Sequence, residues 1–195
     1  MHLHAVVTGA GSGIGAAVTK ALVEKNYRVT LMGRGKEALE STANALQQPD
    51  LVECIVCDVS DENSVTEAFT KAANPARFGP IDVLVNNAGI APSASFHKLS
   101  FADWNKVMAV NLHGVFHCTQ AVLPGMRARK FGRIINLAST AAQKGYAYVS
   151  AYCAAKHGVL GLTRALALET ALLGITVNAV CPGFTDTEIV RSSIV

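Results

Sequence analysis

The sequence predicts an α/β fold, a mainly parallel, doubly wound sheet with helices on both faces. Three observations predict it. Six short apolar, β-branched runs alternate with longer amphipathic stretches rich in alanine and leucine, which is the rhythm of βαβ repetition. The runs are nearly continuously hydrophobic, as strands covered on both faces are. A glycine cluster stands between the first run and the first amphipathic stretch.

Taken in order, the strands are "LHAVVT", "YRVTLM", "LVECIVC", "IDVLVN", "GRIINLA" and "GITVNAV", with helical patterning between each pair. The two longest helical segments are expected over about Ser100 to Gly125 and about Ser150 to Gly174. Proline and glycine fall mostly at element ends, as in "RFGP", "GIAP" and "CPG". No linker, repeat or low-complexity segment interrupts the pattern, so residues 1–195 read as one domain. The chain stops soon after the sixth run, with nothing following to cover that sheet edge, and it reads as incomplete at its C-terminus.

Composition narrows the function. Seventeen basic against fourteen acidic residues give a net charge of +3 without any block of one sign, which argues against a nucleic-acid partner and for a small molecule. The N-terminus lacks the pattern of a secretory signal, and no apolar run has the roughly 18 residues of a spanning helix. The expectation is a cytoplasmic protein with no membrane partner. The five cysteines lie in apolar segments and read as small buried hydrophobes. Cys54 and Cys57 form a C-x-x-C within a strand, where residues three apart face opposite ways, so no metal site is expected.

"VVTGAGSGIGAAV" places Gly9, Gly11, Gly13 and Gly15 between a strand and a helix, where the backbone can approach a pyrophosphate and the helix N-terminus offers free N–H donors. The spacing differs from the common G-x-G-x-x-G, and a tight turn is the alternative. About 20 residues on, the second strand ends in Gly33-Arg34 with no carboxylate, which favours NADP over NAD because an arginine accommodates a 2′-phosphate, an exposed arginine with no phosphate to hold being the alternative. Asp58, just past the third strand, suits either an adenine amino group or a loop-capping role.

In "SAYCAAKHG", Tyr152 and Lys156 are four apart and share a helical face, while Cys153 and His157 point elsewhere. A nearby ammonium lowers a phenol's pKa and makes it useful as an acid-base group. Ser139 follows the fifth strand at the same sheet edge, where its hydroxyl can hold a carbonyl oxygen or serve a turn. Tyr146 and Tyr148 have no lysine four residues on, and His157 reads as a packing or surface residue.

Together, "TGAGSGIG" (8–15), "NNAG" (86–89), Asn111 in "VNLHG", Ser139, "YCAAK" and "PGFTDT" resemble the short-chain dehydrogenase/reductase family over essentially the whole chain. The resemblance implies a Rossmann-type fold lacking its last strand, an NAD(P)-dependent oxidoreductase, and no metal. It makes Tyr152 the general acid-base, Lys156 the residue that lowers its pKa and holds the nicotinamide ribose, Ser139 the group that orients the substrate oxygen, and Asn111 part of a proton relay through water to Lys156. Cofactor contacts carry over to Gly9, Ser12, Gly13, Ile14 and Gly15 at the turn, and to Arg34, Asp58 and Val59 beyond the second and third strands. They continue with Asn87, Ala88 and Gly89, then Tyr152 and Lys156, and finally Pro182, Gly183, Thr185 and Thr187.

The stretches around Tyr152 and Pro182 are most similar to 3-oxoacyl and polyketide ketoreductases and to 3-hydroxyacyl dehydrogenases. They imply a β-keto or β-hydroxy thioester as the carbonyl or alcohol substrate. The two long helices suit a homo-oligomer, a dimer or tetramer. A different class of reading is a catalytically silent dinucleotide-binding or redox-sensing module, and another a purely structural α/β protein.

Overall fold

The computed structural model describes residues 2–187; residues 188–195, which include the ending read above as incomplete, lie outside the described part. Six strands form one sheet: β1 (His4–Thr8), β2 (Arg28–Gly33), β3 (Val52–Val56), β4 (Val83–Asn86), β5 (Gly132–Leu137) and β6 (Ile175–Val180). Between them run α1 (Gly13–Glu24), α2 (Lys36–Leu46), α3 (Glu62–Ala72), α4 (Phe101–Met108), α5 (Gly114–Arg129) and α6 (Ser150–Thr170).

Every pairing is parallel, in the order β3-β2-β1-β4-β5-β6. The chain therefore winds outward from β1 in one direction, then from β4 in the other. That reversal opens a crevice beyond the carboxyl ends of β1 and β4, where ligands of such sheets bind.

The sheet has two apolar faces. Val6, Met32, Leu84, Ile134 and Val177 pack under α3, α5 and α6, whereas Ala5, Val7, Val29, Leu31 and Val85 pack under α1 and α2. The alternation of a strand separates these sets. It also separates the two cysteines of C-x-x-C: Cys54 packs with the second face and Cys57 with the first. Burial pushes both thiols above their ordinary range, Cys57 to about 11. Coverage is complete for β1 and β4, while the outer strands β3 and β6 are only half covered.

Local sequence explains the helices around that frame. In α3, Val65, Ala68, Phe69 and Ala72 recur on one face and are all buried, and Asp61 caps the start by accepting from the N–H groups of Asn63 (2.9 Å) and Ser64 (3.4 Å). Ser100 caps α4 through the Asp103 N–H at 3.0 Å.

The first long helix differs from the expectation. It holds a π turn at Ala109–His113, where the Gly114 N–H reaches back five residues to the Ala109 carbonyl, and it continues past Gly125 to Arg129 despite Pro124. Lys130, at φ +53°, makes the left-handed stop that Gly125 suggested. The second long helix ends at Thr170, four residues before Gly174.

Candidate active site

The crevice is built on its left by the glycine turn. Gly9 has φ +65°, and a β-carbon there would lie 2.9 Å from the Ala88 Cα. A β-carbon at Gly15 would collide with the Gly9 carbonyl oxygen, so only glycine lets the turn close. Ser12 occupies the N-cap of α1 but makes no side-chain cap, and the first turn has no acidic residue. The N–H groups at Gly13, Ile14 and Gly15 thus face the crevice end of the helix dipole without a built-in anion. This cradle fits a pyrophosphate.

Asn87 fixes the cradle to β4. Its side-chain amide donates to the Thr8 and Gly9 carbonyls at 2.9 and 3.1 Å, and the Thr8 hydroxyl accepts from the Asn87 and Ala88 N–H groups at 3.0 and 3.1 Å. Gly89 lies against Asn111, whose Oδ1 would be 2.8 Å from a β-carbon there. Arg34 is exposed just past β2.

Asp58 accepts from the Ser60 N–H at 3.0 Å and hydroxyl at 2.6 Å, a loop-capping role, while the helix cap itself falls to Asp61. Burial works to raise the Asp58 pKa, but the Ser60 bonds and the Arg34 charge outweigh it and hold the carboxyl below its ordinary value. Val59 is buried, and its carbonyl bonds His117 Nδ1 at 3.2 Å.

On the other side of the crevice, Ser139, Tyr152 and Lys156 come together. Ser139 caps the short 3-10 turn Thr140–Ala142, its hydroxyl accepting from the Ala141 N–H at 3.1 Å. Lys156 is 4% exposed, donates to the Leu137 carbonyl at 2.5 Å, and holds its ammonium 5.6 Å from the Tyr152 ring centroid. Tyr152 and Lys156 are four apart on one helical face, and that spacing delivers this pairing.

Electrostatics depart from the simple expectation that lysine lowers the phenol. Burial raises the Tyr152 pKa, with the Ser139 hydroxyl pulling part-way back and Cys153 adding to the rise. Burial also lowers Lys156 to about 8, against a smaller upward pull from Cys181. The folded chain alone therefore favours a protonated phenol beside an ammonium that gives up its proton readily.

Asn111 is fully buried in the π turn. Its amide donates to the Ile90 and Val107 carbonyls, both at 2.9 Å, and its oxygen accepts from the Ile90 N–H at 3.2 Å. Its side chain is committed to backbone, and it spans α4 and the loop after β4.

Beyond β6, Pro182 accepts from the Thr140 N–H at 2.9 Å, the Thr185 hydroxyl donates to the Gly183 carbonyl at 3.4 Å, and the Thr187 hydroxyl donates to the Thr185 carbonyl at 3.3 Å. The Thr187 methyl lies 3.2 Å from the position a Gly13 β-carbon would take, so this loop reaches back to the cradle. His157 is exposed and bonds locally, to the Cys153 carbonyl at 2.9 Å.

Sequence reasoning missed several participants. Leu137 contributes only a carbonyl, which no residue identity signals. Asn86 and Asn136 pair across β4 and β5 at 2.9 Å, with Thr119 and Thr163 completing a buried polar ladder. Two asparagines near the ends of apolar strands were the available signal. Tyr146, set aside as an acid-base group, bonds the Thr140 hydroxyl beside Ser139 at 3.0 Å.

Comparison with known proteins bears on this geometry. The family model described as short chain dehydrogenase matches residues 3–194. The chain belongs to the short-chain dehydrogenase family. Among its relatives are an acetoacetyl-CoA reductase of Shinella zoogloeoides, 45% identical across 96% of this chain and 76% of that protein, and a D-beta-hydroxybutyrate dehydrogenase of Cupriavidus necator, 39% identical across 97% and 73%.

A solved actinorhodin polyketide ketoreductase with NADPH superposes with a TM-score of 0.93 at 41% identity, covering 98% of this chain and 74% of that one. Levodione reductase gives the same TM-score at 38% identity, covering 98% and 75%. This short-chain dehydrogenase is an NAD(P)-dependent oxidoreductase that interconverts a carbonyl and an alcohol. Among its described residues no group of histidine, cysteine or carboxylate side chains is placed to hold a metal, and no helix is long and apolar enough to cross a membrane.

Proposed function

We propose that the chain is an NADP-preferring reductase of 3-oxoacyl thioesters, working reversibly on the 3-hydroxy product. The observation that carries the reading is the convergence of Ser139, Tyr152 and Lys156 across the crevice from an uncapped, carboxylate-free glycine cradle. Similarity to an acetoacetyl-CoA reductase and to a putative ketoacyl reductase of Streptomyces coelicolor, 44% identical across 96% of this chain and 72% of that protein, supports the thioester class.

A nicotinamide held beside Tyr152 and Lys156 would supply the hydride chemistry at the carbonyl carbon. Ser139 holds the substrate oxygen by donating its hydroxyl hydrogen, and the Tyr152 phenol delivers the proton that turns that oxygen into a hydroxyl. Burial keeps the phenol protonated near neutral pH, which suits a donor in the reductive direction. Lys156 places positive charge beside the phenolate left behind.

Gly9, Ser12, Gly13, Ile14 and Gly15 would hold the pyrophosphate, and Arg34 the 2′-phosphate. Asp58, Val59, Asn87, Ala88 and Gly89 would line the adenosine side, while Pro182, Gly183, Thr185 and Thr187 would flank the nicotinamide. Asn111 holds the loop after β4 in place beneath them. Phe116 on α5 and Leu168 on α6 are exposed apolar side chains on the long helices, which supports a homo-oligomer.

The test is to titrate the purified chain with NADPH and NADH and then follow oxidation on adding acetoacetyl-CoA. Tighter NADPH binding with turnover is expected. Binding of both nucleotides without turnover of any 3-oxoacyl thioester would reject the reaction.

A further inference from the structure

The loop from Gln143 to Val149 joins the Ser139 turn to α6 and is tied on three sides. The Tyr146 phenol meets the Thr140 hydroxyl at 3.0 Å, and its ring stands edge-on to Phe184 with centroids 5.9 Å apart at 84°. The Ala94 N–H donates to the Tyr148 carbonyl at 2.8 Å, which fastens the loop to the segment after β4. Tyr148 itself holds φ +66°, an uncommon conformation for a bulky residue, with its ring exposed. The loop is therefore a fixed wall between the segments that follow β4 and β6, one residue away from Ser139 through Thr140.

Charge on this wall has one sign. Segments 90–100 and 140–150 contain Lys98 and Lys144 and no aspartate or glutamate. Lys144 is exposed, lies 5.1 Å from the centroid of the Tyr146 ring, and has no carboxylate partner among the described residues. The aromatic face holds the ammonium at the rim without neutralising it. Asp186 is the single carboxylate in the described part of the loop after β6.

A thioester carried on phosphopantetheine is neutral around its carbonyl and anionic at its far end. Resting on the thioester reading above, we propose that Lys144 is a specificity-determining residue that contacts the phosphate-bearing tail of the substrate at the rim of this wall.

The experiment compares acetoacetyl-CoA with the uncharged N-acetylcysteamine thioester of acetoacetate, at saturating NADPH, in wild type, Lys144→Ala, Lys144→Glu and Lys144→Arg. Loss of the contact in Lys144→Ala is expected to raise KM for acetoacetyl-CoA about fivefold, and Lys144→Glu about tenfold or more, with kcat unchanged. KM for the uncharged thioester stays within about twofold, and Lys144→Arg restores the wild-type ratio. Lys71→Glu, a charge reversal on the remote helix α3, leaves both constants unchanged.

Equal rises in KM for the two substrates would overturn the proposal, since they would mean a damaged wall rather than a lost charge contact. Wild-type turnover of the uncharged thioester tests the reaction by itself. That turnover, combined with an unmoved KM for acetoacetyl-CoA in Lys144→Glu, would overturn the tail contact while the reaction stands.

Discussion

Lys156 is 4% exposed, with the Leu137 carbonyl and the Tyr152 ring beside its ammonium and no carboxylate bonded to it among the described residues. Its folded pKa of about 8 lies below the ordinary 10.5, so between those values the unfolded chain binds the extra proton. The charged lysine opposes folding fully below about pH 8, and that cost is relieved as pH rises toward 10.5. Lys156→Met is accordingly expected to abolish turnover yet stabilise the cofactor-free protein at pH 7, by up to about 3 kcal/mol, in chemical denaturation. A destabilised variant would show that the Leu137 bond outweighs burial. Tyr152→Phe should reduce turnover at least about a hundredfold with little loss of stability, read from kcat and melting temperature together.

Arg34 and Tyr152 show what was legible at this scale. Their identities and spacing suggest a phosphate contact and an acid-base group, and the structure shows their placement alone, Tyr152 beside Lys156 and Arg34 exposed at the carboxyl edge. Tyr146 was not legible. Its importance depends on Thr140 and Phe184, whose approach is a tertiary fact.

At the scale of elements, the six strands followed directly from hydrophobic runs because burial on a parallel sheet leaves such runs little alternative. The π turn did not, because an i to i+5 bond changes no apolar spacing that the eye can follow over five residues. Asn111 is the residue that turn serves, and Asn111→Leu is expected to destabilise the fold by about 2 to 3 kcal/mol because Ile90 and Val107 lose buried partners. Urea unfolding would measure this, and a cost below about 0.5 kcal/mol would show that the backbone finds other partners. Gly15→Ala, meeting the Gly9 carbonyl, should cost more than Gly35→Ala, whose nearest contact would be an ordinary 3.8 Å.

For the whole molecule, the two ends of the sheet do different work. The carboxyl end carries the proposed site, while the amino end holds His4, 1% exposed between Thr30 at 2.9 Å and the Gly79 carbonyl at 3.0 Å. Burial lowers the His4 pKa, against the Gly79 and Pro80 carbonyls and the Asp82 carboxylate, with Arg28 adding to the lowering. The unfolded chain then binds the extra proton, so stability is lost as pH falls below the ordinary 6.5. His4→Gln should flatten that acid limb when denaturation midpoints are compared between pH 7.5 and 5, and an unchanged limb would assign it to carboxylates.

The bonds from Asn87 to Thr8 and Gly9 bridge 79 and 78 residues of sequence. The turn proposed to receive the nucleotide is thus not a property of the first βαβ unit, although it looks like one in the sequence. It is complete only when β4 has docked beside β1, a long-range parallel pairing of the kind that forms slowly. A nascent chain emerging from the ribosome would accordingly acquire its affinity for nucleotide late and abruptly, once residue 87 is free to fold back, and the cofactor would then favour the long-range pairing that created its own site.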